Sequence, residues 1–236
     1  MARCWYSKWE LLFYIDIGKD NQHCRKDSAK LNKSHEIYSI VLKNDDQNLG
    51  FAGIALFIGV AQFFLFLLLA ELLFPNYSVS NNYISDLGVG KTAYIFNTTI
   101  EVLGIALIIA GLLLRKFSPV LLVVLILAGI GAIGVGLFPE NTGRPHSLFS
   151  LLVFLMGAIA PYIIIYKLRN FISAVWVFLG TYALIFLILY TKGVHLGLGK
   201  GGMERMIVYP ELLWALGFGG WLLGKSSNHQ EKLEHS

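Results

Sequence analysis

Nine residues of this 236-residue chain combine a reactive or recognising type with a suggestive position. Ser85 and Asp86 stand in Ile84-Ser85-Asp86-Leu87-Gly88. Glu140, Arg144 and His146 follow Phe138-Pro139. Glu204 and Arg205 close Gly201-Gly202-Met203-Glu204-Arg205, Tyr209 precedes Pro210, and Glu101 stands alone in an apolar stretch. A carboxylate with an imidazole is the minimum equipment for general acid–base work, so Asp86 and His146 are the candidate catalytic pair. Arg144 and Arg205 each offer a planar fork of donors that matches a phosphate or carboxylate. With Ser85, Glu140, Glu204, Glu101 and Tyr209 they form the candidate ligand-binding set, Glu101 orienting a partner from below.

These residues are set in a very apolar chain. Hydrophobic types make up 56% of it and charged types 14%, about half the charge of an average soluble domain. Residues 1–50 hold 15 of the 34 charged residues, and residues 51–224 hold another 15. A spanning helix needs about 20 mostly apolar residues. Six stretches qualify, at about 50–74, 93–114, 119–138, 147–166, 171–190 and 206–223. Their breaks fall at Pro75, Arg115-Lys116, Pro139, Lys167 to Asn170 and the glycine-rich stretch 193–202. The fold class is therefore all-α: a polytopic integral membrane protein of six transmembrane helices with both termini on the same side. Residues 47–224 form the membrane domain, flanked by a polar N-terminal tail, 1–46, and a polar C-terminal tail, 225–236.

Three connections collect nearly all the polar chemistry of the core: 76–88, 138–147 and 192–205. The two on the other side, Arg115-Lys116 and Lys167 to Asn170, are short and bland. Such segregation points to one convergent site at an outer membrane interface. Glu101, about nine residues into its span, belongs with it, because an ionisable group at that depth is expensive and is paired or functional. Gln62, Glu71 and Glu211 are candidates for the same internal network. Within the second span Asn97, Glu101, Gly104, Ile108 and Gly111 share one helical face, which must look into the bundle. Glycines and alanines crowd the third span, as expected of a tightly packed central helix.

Counting Lys and Arg near the span ends gives 7 on the side of the tails and 5 opposite, which puts both termini in the cytoplasm and the polar connections outside the cell membrane. Cys4 and Cys24 both lie in the tail, so the core has neither disulfide nor thiol chemistry. The change of composition near residue 47 allows a native start within the tail, at Val41 or Leu42. No basic stripe with interleaved aromatics occurs, which argues against nucleic acid as a partner. Gly88-Val89-Gly90-Lys91-Thr92 ends like a phosphate loop but has Ser85 where the pattern needs glycine, and no strand before it. His146 and His195 lack the close ligand spacing of a zinc site; no metal is assigned, and the cofactor is unknown.

Ile84-Ser85-Asp86-Leu87-Gly88, Gly136-Leu137-Phe138-Pro139 with His146, and Gly202-Met203-Glu204-Arg205 leading into Tyr209-Pro210 resemble the prokaryotic membrane family called domain of unknown function 998, over about residues 47–224. The resemblance implies a polytopic helical membrane protein with no established activity. The Ser, Asp and His are also similar to those of the alkaline ceramidase and progestin-receptor-like superfamily of metal-dependent lipid hydrolases, whose His-x-x-x-His motif is missing here. Three functions compete: binding of a lipid headgroup or other small amphiphile, its turnover by a membrane-embedded hydrolase or transferase, and service as an accessory subunit beside a membrane-protein partner, including a respiratory complex. Membrane lipids are the expected partners in each, and whether the chain is an enzyme stays open.

Overall fold

The computed structural model describes the backbone of residues 21–234 and the side chains of residues 45–228. Among the described residues six α-helices follow one another: α1 (Asn21–Leu73), α2 (Ala93–Leu113), α3 (Pro119–Leu137), α4 (Arg144–Leu168), α5 (Phe171–Thr191) and α6 (Gly199–Glu234). Each contains a segment long and apolar enough to cross a membrane, the first being Asp45–Leu73 and the last Gly199–Asn228. The chain divides into residues 1–44 and 45–236, and the bundle belongs to the second unit. The N-terminal tail falls mostly in the first unit: its residues 1–20 lie outside the described residues, and from Asn21 the backbone is helical. At the other end α6 continues through the expected C-terminal tail as far as Glu234.

The helix ends follow local chemistry. Ser118 caps α3, its hydroxyl accepting from the Leu121 N–H at 3.2 Å, with Pro119 in the first turn where no N–H is needed. Asn170 and Ser173 cap α5 reciprocally, and Arg169 ends α4 in the left-handed conformation. Two further ends depart from the apolar pattern. α4 starts at Arg144, with Pro145 in its first turn, rather than at Ser147, and α6 starts at Gly199 rather than Met206. The glycine-rich stretch is thus partly helix, its small residues serving close packing rather than a loop.

α2 packs on α3, α3 on α4, α4 on α5 and α5 on α6, with α4 also meeting α6. At the α2–α3 crossing a Cβ on Gly104 would stand 2.6 Å from the Gly129 carbonyl, and one on Gly129 2.5 Å from the Gly104 carbonyl. Backbone touches backbone there, so the crowded glycines pack helices together. α1 closes the bundle against α2 and α6: Phe63 meets Phe96 at 6.0 Å between ring centres, and Phe64 meets Tyr209 at 6.1 Å. Ser226 donates to the Asp46 carbonyl at 2.9 Å, bringing the start of the first span beside the end of the last. Lys116, between α2 and α3, pairs with Asp45 at 2.6 Å at that same end. The 76–88, 138–147 and 192–198 connections lie at the opposite end.

Candidate functional site

The three polar connections meet. The first is laid on the start of α6, where the Gly201 N–H donates to the Ser80 carbonyl at 2.9 Å and the Ser80 hydroxyl to the Leu198 carbonyl at 2.6 Å. Only glycine serves at 201, because a Cβ there would overlap the Asn82 carbonyl. Arg205, one helical turn on, is 2% exposed and ties the junction. Its Nη1 donates to the carbonyls of Val79 (3.0 Å), Asn82 (3.2 Å) and Gly201 (2.9 Å). Its Nη2 donates to Glu71 of α1 at 2.6 Å and to the Tyr77 hydroxyl. Burial pushes the Tyr77 phenol above its ordinary range, so it stays neutral despite the opposing pull of Arg205.

A carboxyl cluster joins the first connection to the second. Asp86 accepts from Asn82 Nδ2 and the Tyr83 N–H, both at 2.9 Å, and from the acid proton of Glu140. Burial works against its ionisation, but these bonds, from Glu140 first, and the charge of Lys200 outweigh it and hold Asp86 below the usual carboxylate range. Glu140 goes the other way: burial, then the bond to Asp86 and the charges of Asp86 and Glu204, push it up to about 8. The two therefore hold a single proton between them near neutral pH, resident on Glu140. Glu204, buried in the second turn of α6, accepts from the Ile84 N–H and so fixes the loop that carries Ser85 and Asp86.

His146 is buried in the first turn of α4. The last carbonyls of a helix lack partners within it, and beyond the end of α3 the Phe138 carbonyl lies 2.8 Å from His146 Nδ1. A carbonyl only accepts, so Nδ1 carries the proton and Nε2 of the neutral ring is left as an acceptor. Ser150, four residues on along the same helical face, places its hydroxyl 3.1 Å from that Nε2.

Two cavities open from this arrangement. A vestibule of about 480 Å³ with a mixed lining is bounded by polar groups of Glu140, His146, Ser147 and Glu204 and by Tyr83, Leu151, Phe154, Leu187 and Tyr190 among others. A smaller apolar cavity of about 80 Å³ lies within the bundle between Val60, Phe63, Leu103, Leu125 and Ala132, with Glu211 and Trp214 in its wall. Ser85, Ser150, Phe154 and Glu204 line both. Glu211 Oε1 and Trp214 Nε1 are the buried polar atoms of this inner wall that have no hydrogen bond within the described protein. Among the described residues, no group of three or more His, Cys, Asp or Glu is placed to hold a metal ion.

The family model described as protein of unknown function (DUF998) matches residues 57–221, a range that contains every residue of both cavities. The chain belongs to this family. No curated protein and no solved structure matches it. In this DUF998 protein, five of the nine residues read from the sequence meet in the vestibule and its rim of hydrogen bonds: Ser85, Asp86, Glu140, His146 and Glu204. Arg144 is exposed at the start of α4 and free to meet a ligand or solvent. Arg205 spends its Nη donors inside the protein, and Tyr209 packs on Phe64. Glu101 stands against Gly136 of α3, away from both cavities, and Gln62 bonds to the Gly59 and Thr99 carbonyls at 2.9 Å. Sequence reasoning missed Ser150, Tyr83 and Tyr190. The His146-x-x-x-Ser150 spacing was available as an i, i+4 pair on one helical face; the two tyrosines, 107 positions apart, carried no such signal.

Proposed function

We propose that this DUF998 protein binds a small single-chain amphiphile at the outer edge of the membrane. The polar head occupies the vestibule and the first carbons of the chain enter the apolar cavity. The observation that carries this reading is the shared wall of Ser85, Ser150, Phe154 and Glu204, which makes one site with a polar and an apolar end. The vestibule wall carries the carboxyls of Glu140 and Glu204, so a head bearing hydroxyl or amine donors suits it better than an anion does. Any phosphate would have to reach Arg144 at the exposed rim, because the Nη donors of Arg205 are taken. The excess of Lys and Arg at the opposite end supports a cell-membrane orientation with that end in the cytoplasm.

Native mass spectrometry of the detergent-solubilised protein with monooctanoylglycerol tests this. Ala132→Leu fills space in the apolar cavity and should displace about two methylenes, each worth about 0.8 kcal/mol, weakening binding about tenfold. Leu213→Ala, on the exposed face of α6, should leave binding unchanged. Equal affinity in the two variants would place the ligand elsewhere.

A further inference from the structure

We infer that Ser150 and His146 form a nucleophilic dyad that transfers the acyl group of an ester-linked amphiphile. This inference rests on the two-part site proposed above and adds a reaction to it. The dyad has the three parts that activate a serine: a hydroxyl 3.1 Å from an imidazole nitrogen, a ring whose other nitrogen is fixed, and a partner that fixes it, here the Phe138 carbonyl at 2.8 Å. The carbonyl replaces the carboxylate that commonly orients such a histidine, and it selects the tautomer in which Nε2 is free to accept a proton.

Position singles out this pair from an ordinary helical Ser–His contact. Ser150 lies in the wall shared by the carboxyl-bearing vestibule and the apolar cavity. In an amphiphile lying across that wall, the ester joining the acyl chain to the polar alcohol comes to the boundary, beside the hydroxyl. Ser150 Oγ bonds to the acyl carbon while its proton passes to His146 Nε2; the ester C–O bond breaks, and the departing alkoxide takes the proton from His146. Water from the vestibule then attacks the acyl-serine, gives its proton to His146, and releases the fatty acid as Ser150 recovers that proton. The balance is ester plus water to acid plus alcohol.

The test is covalent labelling of the purified, detergent-solubilised full chain with octyl fluorophosphonate, read by peptide mass spectrometry, beside monooctanoylglycerol binding by native mass spectrometry. The expected result is a phosphonyl adduct on Ser150, formed at least about a hundredfold more slowly in His146→Asn, whose amide N–H still reaches for the Phe138 carbonyl but cannot act as a base. Monooctanoylglycerol bound by the wild type without any adduct at Ser150, or an adduct formed equally fast in His146→Asn, overturns the dyad and leaves the binding reading standing. An adduct at Ser150 with no monooctanoylglycerol bound supports the dyad and overturns the binding reading. Neither signal overturns both.

Discussion

Asp86 and Glu140 are two carboxyls with opposite fates, and the difference is local. Asp86 collects an amide N–H, a backbone N–H and the Glu140 proton, whereas Glu140 faces burial and two neighbouring negative groups. The sign of the resulting pH dependence follows from the direction of each shift. Glu140 is raised from an ordinary 4.5 to about 8, so the folded state holds its proton more tightly than the unfolded one. That contribution to stability is complete below about 4.5 and is lost as pH rises through about 8. Asp86 is lowered, so its contribution is present above 3.8 and disappears only in stronger acid. In detergent the thermal midpoint should therefore fall between pH 5 and pH 9, and Glu140→Gln, which keeps a donor toward Asp86 but cannot ionise, should flatten the fall. A wild-type midpoint that stays level across this interval would contradict the shared proton. Arg205 illustrates the other use of charge: its ion pair with Glu71 and its contacts with the Val79 and Asn82 carbonyls hold the 76–88 connection against α1 and α6, and a sequence alone cannot tell such a committed guanidinium from one that waits for a ligand.

At the scale of elements, the α2–α3 crossing carries the tightest backbone contact described between two spans. Gly104→Leu would drive a side chain into the Gly129 carbonyl and Ile133, and should cost about 1–3 kcal/mol or more, seen as a lower thermal midpoint and loss of monodisperse protein. Gly224→Ala, with nothing within 4 Å of the new methyl and a helix around it, should be neutral or slightly stabilising. A Gly104→Leu protein as stable as Gly224→Ala would refute the close crossing. The six spans were legible in the sequence because hydrocarbon forces long apolar helices and tolerates no other backbone. The start of α6 was not, since the glycine-rich stretch reads as a break between spans until the approach of Gly199 to Ser80 and of Gly201 to Asn82 is seen. The convergence of three connections was legible from their polarity. Glu101 was misplaced by the same logic, because depth along one helix does not reveal which neighbour the face meets, and here it meets Gly136.

For the whole molecule, the bundle is a scaffold with a bland end and an equipped end. The contacts of Ser226 with Asp46 and of Lys116 with Asp45 define the bland end; the vestibule defines the other. In a chain lacking Cys4 and Cys24, single cysteines at exposed Thr142 and Ser227 report which end faces out. A membrane-impermeant maleimide on intact cells should label Thr142→Cys and spare Ser227→Cys, and the reverse pattern would invert the orientation. The central claim is that an amphiphile enters the bundle through the vestibule rather than coating its flanks. Photo-crosslinking with a monooctanoylglycerol that carries a diazirine on its acyl chain, followed by peptide mapping, measures this directly. Adducts are expected on inward residues of the two cavities, such as Phe154, Val208 and Leu212. Adducts confined to outward residues such as Phe51, Phe171 and Leu213, with none on the cavity walls, would contradict it.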